Sequence, residues 1–185
     1  MNLPEHIEKY LGRIDYGWRL RSETAGFRVV KILNQPKDGV VSYCTLGMSF
    51  AELQMPRGRS MRQELLFAAY DRYEPERIAS FLFTLGESIS SQGHALLRGD
   101  VIGPYKPLIS GISLDAVYCT MPVMHDEGLA IYSGSTPNTV FIWLLPLSHD
   151  EASYVKSHGW NKFEEMLEMR PIDFWDLERG SLIAT

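Results

Sequence analysis

Cysteine is nearly absent from this sequence, with only Cys44 and Cys119 in a chain of 185 residues. Two thiols exclude a disulfide-dense scaffold. Both lie in apolar stretches, so buried free thiols are the expectation and a single Cys44–Cys119 bridge is the alternative. Long hydrophobic runs are also lacking. The longest, residues 140–147, falls far short of the about 20 residues that a membrane-spanning helix needs. No basic segment followed by an apolar one opens the chain, and no Lys/Arg cluster flanks an apolar helix. No secretory leader and no membrane partner are therefore expected, and the cytoplasm is the expected compartment.

Templates for chemistry are equally scarce. The sequence has no GxGxxG or GxxxxGK[ST] string, so a phosphate cradle at a strand–helix junction is not expected. It has no HExxH and no CxxC; the His149-Asp150-Glu151 triplet is explained by helix capping, where adjacent side chains diverge by about 100°, and His125-Asp126-Glu127 sits in a loop beside Gly128 and reads as a solvated turn. Ser133-Gly134-Ser135 lacks the rest of a nucleophile elbow, and the consecutive Ser148-His149-Asp150 cannot form a triad, which is built from distant positions. Cys44 in apolar surroundings would be an inert thiol. The expectation is a chain without catalytic residues, metal or cofactor.

What the sequence does contain is a globular composition, 45% hydrophobic and 22% charged, with no repeat or low-complexity linker. One domain over residues 1–185 is expected. Charge divides along the chain: residues 1–110 hold 14 Lys/Arg and 12 Asp/Glu, and residues 111–185 hold 4 and 11, so balances of +2 and −7 sum to −5. An acidic C-terminal third repels nucleic acid and attracts a basic protein.

Residues 3–11 predict a short helix with Pro4 in its first turn. The β-branched segment 27–33, the turn cluster 34–39 and the segment 40–45 predict a hairpin. Residues 55–60 predict an exposed basic loop carrying Arg57 and Arg59. Segment 62–70 fits helix or strand, with strand preferred for its polar start and apolar end. Ile78, Phe81, Leu82, Leu85 and Ile89 share one face of a helix over 75–91, with Gly93 as its cap. An irregular loop over 98–111, a strand over 116–121 and a central strand over 139–147 follow. Ser148 and Glu151 form a capping box for a helix ending near Gly159, and a last helix over 163–169 should stop before Pro171. The fold class is α+β, with helices packed on a mixed or mainly antiparallel sheet.

At Val41-Ser42-Tyr43-Cys44-Thr45-Leu46-Gly47-Met48-Ser49 the chain resembles the suppressor-of-fused (SUFU-like) family, in which a TLGMS string closes a hairpin strand. The likeness continues in order through Arg62-Gln63-Glu64-Leu65-Leu66-Phe67, the 75–91 helix, Gly99-Asp100, residues 141–147 running into Ser148 and Glu151, Gly159, and residues 173–179, covering about residues 25–180. The resemblance implies a compact domain for protein–protein interaction. Animal members carry a second domain and sequester a transcription factor, a role that this short chain does not inherit. It is similar instead to free-standing bacterial members that look like immunity proteins, which bind and neutralise a cognate toxin. A general protein-interaction adaptor and, further off, a small hydrolase using Cys44 or His125 are the other readings. Candidate contact residues are the acidic Asp173, Asp176 and Glu178, the aromatics Trp160, Trp175 and Tyr132, and the basic Arg57 and Arg59.

Overall fold

The computed structural model describes residues 1–20, 26–104, 107–170 and 172–183. Residues 105 and 106 of the expected irregular loop, and Pro171 at the expected end of the last helix, lie outside the described residues. Helix α1 (Leu3–Leu11) opens on a capping box in which the Asn2 side chain accepts from the Glu5 N–H while the Glu5 carboxylate accepts from the Asn2 N–H. Strand β1 (Tyr16–Arg19) leads to the hairpin β2 (Arg28–Leu33) and β3 (Val40–Leu46), then to the short β4 (Leu53–Gln54) and the long β5 (Ser60–Tyr70). Helix α2 (Pro75–Gln92) ends at Gly93, whose left-handed φ of 69° closes the last turn. After β6 (Val101–Ile102), β7 (Ala116–Thr120), β8 (Ile131–Tyr132) and β9 (Thr139–Leu147) come α3 (His149–His158) and α4 (Trp160–Met169).

The strands form one sheet in the order β1-β2-β3-β5-β9-β7-β6, with β4 paired to β5 and β8 to β9. Every pairing is antiparallel except β5 with β9, whose register sets Arg62 opposite Thr139 and Leu66 opposite Trp143. The sheet is mixed and the class α+β, as its sequence predicts. β3, β5 and β9 are covered on both faces, which explains their nearly unbroken apolar runs. On one face α2 packs Ile78, Leu82 and Leu85 onto Val41, Leu65, Phe67 and Leu144. On the other, α1, α3 and α4 bring Ile7, Ala152, Val155 and Phe163 to Val30, Leu66, Phe141 and Trp143. Cys44 belongs to one face and Cys119 to the other, and both are buried free thiols, so the sheet itself keeps them apart.

Four details differ from the sequence expectation. β1 is an edge strand with little burial and hence no alternating pattern to read. β8 is two residues long, and the 98–111 segment contributes the two-residue β6. Helix α4 starts at Trp160 instead of 163, because Gly159 (φ 85°) turns the chain directly from α3 into α4 and the added turn is exposed.

The segment after α4 closes one end of the sheet. Trp175 is 4% exposed and stacks on Trp143 at 5.6 Å. Tyr70 Oη–H donates to Asp173 at 2.5 Å, and both Arg72 and Tyr73 donate to Asp176 at 2.6 Å. Arg179 forms a two-point pair with the fully buried Glu151, at 2.6 and 2.8 Å, and also donates to the Pro146 carbonyl. Glu151 thus performs its capping role towards the Ser148 N–H and anchors the tail as well. Removing one member of a buried pair strands the other, so Arg179→Ala should cost about 3–5 kcal/mol in urea unfolding. Arg179→Met with Glu151→Gln should cost less than that.

Candidate functional site

Of the three polar residues that open β5's buried stretch, Glu64 and Arg62 hold the loop after β3 and Gln63 holds another. Glu64, fully buried, has its carboxylate enclosed by the turn after β3. Thr45 Oγ1–H donates to it at 2.5 Å, Gly47 N–H at 2.9 Å, Ser49 N–H at 3.0 Å and Ser49 Oγ–H at 2.7 Å. Thr45 Oγ1 in turn accepts from the Leu65 N–H at 2.8 Å. Burial pushes the Glu64 pKa up, and the four donors pull it back down. Gln63 exchanges two hydrogen bonds with the Leu96 backbone, at 2.7 and 2.9 Å. Arg62 donates to the Ser49 and Phe50 carbonyls at 2.9 and 2.7 Å and pairs with Glu52 at 3.0 Å. The TLGMS string is therefore a loop clasp. Gly47 is required at its turn because φ there is +105°, a conformation costly for other residues.

The clasp fixes the backbone on both sides of Phe50 and leaves its ring 80% exposed. The ring stands on the rim of the larger concavity, a groove of about 1020 Å³. Leu20, Phe27 and Leu46 supply apolar lining, Arg19 and Arg28 supply charge, and Ser135 and Thr136 supply hydroxyls. Arg62 and Thr139 also line it, which places it at the starting end of the parallel β5–β9 pair, opposite the end that the tail closes.

The residues singled out from sequence do not converge. Arg57 and Arg59 are exposed just before β5, as the predicted basic loop requires, while Asp173 and Asp176 bond to Tyr70, Arg72 and Tyr73 at and just beyond its far end. The length of β5 separates the two groups, roughly 35 Å at the usual rise per residue. Asp173 and Asp176 are spent on internal bonds, and Trp175 is core. Glu178 is exposed. Trp160 is 38% exposed on the helical face, with the Arg98 guanidinium 4.8 Å from its ring centroid. A Cβ on Gly99 would sit 2.8 Å from that ring, which accounts for glycine there. Tyr132 lines the groove with its hydroxyl donating to the Met1 carbonyl. Phe50, Arg19 and Arg28 are the groove residues that sequence reasoning passes over. The only local signal is an aromatic residue just after a glycine break.

Neither residue of the hydrolase reading is poised for catalysis. Cys44 is fully buried, its thiol donates to the Thr45 carbonyl, and burial raises its pKa well above the ordinary thiol value. His125 turns inward against Trp143 and Trp175, at centroid distances of 6.0 and 6.5 Å. Ser42 Oγ–H donates to the Gln35 carbonyl, so at the 3.3 Å contact His125 Nε2–H is the donor to Ser42 and Nδ1 is the bare nitrogen, buried without a partner. Asp126 of the same triplet caps the turn Glu127–Leu129 through the Gly128 N–H. Among the described residues, no three His, Cys, Asp or Glu side chains are grouped to hold a metal ion. No helix among the described residues is long and apolar enough to cross a membrane.

A mixed sheet covered on both faces, with a clasped loop beside an open groove at one sheet end, defines an α+β protein. The chain belongs to the Suppressor of fused protein (SUFU) family, whose model matches residues 23–180. It is 25% identical over 170 residues to Immunity protein YqcF of Bacillus subtilis, covering 88% of this chain and 84% of that one. The fold is shared with a putative SUFU homolog from Neisseria gonorrhoeae, at a TM-score of 0.78 and 18% identity over 98% of this chain and 94% of that one. It is shared also with the structure of a Sufu–Fu complex, at a TM-score of 0.73 and 15% identity over 97% and 90% of the two chains.

Two consequences are measurable. Glu64→Ala leaves four donors of the turn without an acceptor and should cost about 3 kcal/mol or more in denaturant unfolding. His125 has its pKa lowered from 6.5 to about 4 by burial. Above pH 6.5 it is neutral in both states and contributes no pH dependence. As pH falls from about 6.5 to about 4 the unfolded chain takes up a proton that the folded site refuses, so stability declines by about 3 kcal/mol. Urea titrations across that range should show a shallower decline for His125→Gln.

Proposed function

We propose that this chain is an immunity protein, a non-catalytic cytoplasmic binder that neutralises a cognate toxin by forming a stoichiometric complex. The observation that carries the reading is the Phe50 loop: an exposed aromatic at the mouth of a groove, its flanking backbone hydrogen-bonded by Glu64 and Arg62. A pre-ordered aromatic anchor beside a concave apolar surface gains affinity because little entropy remains to be lost on docking. The likeness to YqcF, which bears the name immunity protein, supports the toxin as the class of partner. A single sheet runs through the described residues, which supports reading them as one domain.

The charge argument for a basic toxin rests on fewer residues than the sequence count implies. Asp173, Asp176, Glu151 and Glu164 are bonded within the chain, so the acids open to a partner include Glu178, Asp150 and Glu168. Trp160, Arg57 and Arg59 remain exposed contact candidates on other surfaces. A general adaptor is the second reading, distinguished by binding that does not depend on a toxin.

Co-expression with the toxin encoded beside its gene should restore growth, and size-exclusion chromatography should give a complex of fixed stoichiometry. Phe50→Ala should weaken that complex by about 2 kcal/mol, near thirtyfold, with no change in unfolding midpoint. Protection at toxin levels in excess of this chain would point to turnover and overturn the stoichiometric reading. A variant unaltered in both binding and stability would remove Phe50 from the interface.

A further inference from the structure

Arg19 and Arg28 are directly opposite each other across β1 and β2, on the same face of the sheet. Both are exposed, and neither has a carboxylate partner among the described residues. Other cations on or near the sheet do have one: Lys31 pairs with Asp15, Arg62 with Glu52, Arg72 with Asp176 and Arg98 with Glu164. Like charges opposite one another in an antiparallel pair destabilise it. Here the fold bears that repulsion at an edge strand and, among the described residues, gains no ion pair from either guanidinium.

The two arginines line the same groove as Phe50. Guanidinium groups bind carboxylates through two parallel N–H bonds, with a geometry that a lone ammonium cannot match. The same lining includes the apolar Leu20, Phe27 and Leu46. Such a surface combines a charged contact with a place for an apolar side chain. It does not suit a polyphosphate, whose affinity depends on many neutralised phosphates, in a chain carrying a net charge of −5.

We propose that the groove receives an extended acidic segment of a partner protein, with its carboxylates on Arg19 and Arg28 and a neighbouring apolar side chain on Phe50. This rests on the protein-binding reading above and adds the chemistry of the docked segment. That segment is acidic even where the rest of the partner is basic, because Arg19 and Arg28 lie on a different part of the surface from Glu178.

The test uses the intact chain and a fluorescein-labelled peptide of alternating Asp and Leu or Phe. Controls carry Asn or Lys in place of Asp, and a short oligothymidine represents nucleic acid. Fluorescence anisotropy should show binding of the Asp peptide that weakens as salt rises from about 50 to about 300 mM. Arg19→Ala with Arg28→Ala should weaken it by about tenfold or more at an unfolding midpoint no lower than the wild type's, since the substitution relieves a repulsion. Arg19→Glu with Arg28→Glu should reverse the preference towards the Lys peptide. Absence of binding, equal binding of the Asp and Asn peptides, or arginine-dependent capture of oligothymidine in place of the Asp peptide would overturn the proposal. The cognate toxin separates the two levels of inference. A toxin that binds the double alanine variant as tightly as the wild type overturns the acidic-segment proposal and leaves the immunity reading intact. A toxin that the wild type does not bind overturns the immunity reading, while the peptide titration still decides the groove.

Discussion

The parallel pairing of β5 with β9 organises the molecule. Two neighbouring strands can run in the same direction only if the chain between them returns to its starting end, which takes a long crossover. Here residues 71–138 make that return, carrying α2 across one face of the sheet and building β6, β7 and β8 on the way. The other face is left to α1, α3 and α4. Because both faces are covered, the two strands are apolar beyond their first residues, and the polar side chains Arg62, Gln63, Glu64 and Thr139 gather where the pairing starts. The two ends then diverge in role. At one, Tyr70 and Trp143 meet Asp173 and Trp175 of the C-terminal tail; at the other, Arg62, Gln63 and Glu64 bond to loops.

Much of the fold was legible in the residues. The caps around Asn2 and Ser148, the hairpin turn and the amphipathic spacing of α2 are local patterns, and each appears where the pattern places it. β1 was not legible because an edge strand exposed on most of its surface has no alternation to detect. Helix α4 was read three residues short because its first turn is exposed and the preceding break needs only one glycine. The candidate site was far less readable. Asp173 and Asp176 look like free surface charge along the chain, and only the fold reveals Tyr70, Arg72 and Tyr73 as their partners, about a hundred residues away. Trp175 looks like an interface anchor for the same reason and is instead part of the core. Conversely, Arg19 and Arg28 are unremarkable in sequence and become a pair only through strand register.

The buried polar residues of this fold are used to position backbone. Glu64 bonds to a turn, Gln63 to a single peptide of a loop, Glu151 to a helix start and a tail. A buried carboxylate without donors would be costly, and each of these is surrounded by them. Such residues can resemble an active site in a sequence scan, since acids and hydroxyls cluster in both. Glu64 differs from a catalytic acid in having its acceptor capacity filled by the protein itself.

The clasp around residue 50 grips main-chain atoms: Arg62 takes the carbonyls of residues 49 and 50, and Glu64 takes the N–H groups of residues 47 and 49. The side chain at position 50 contributes nothing to that grip. Its identity can therefore change while the loop keeps its shape, so the conformation of this loop and the chemistry it displays are set by different residues.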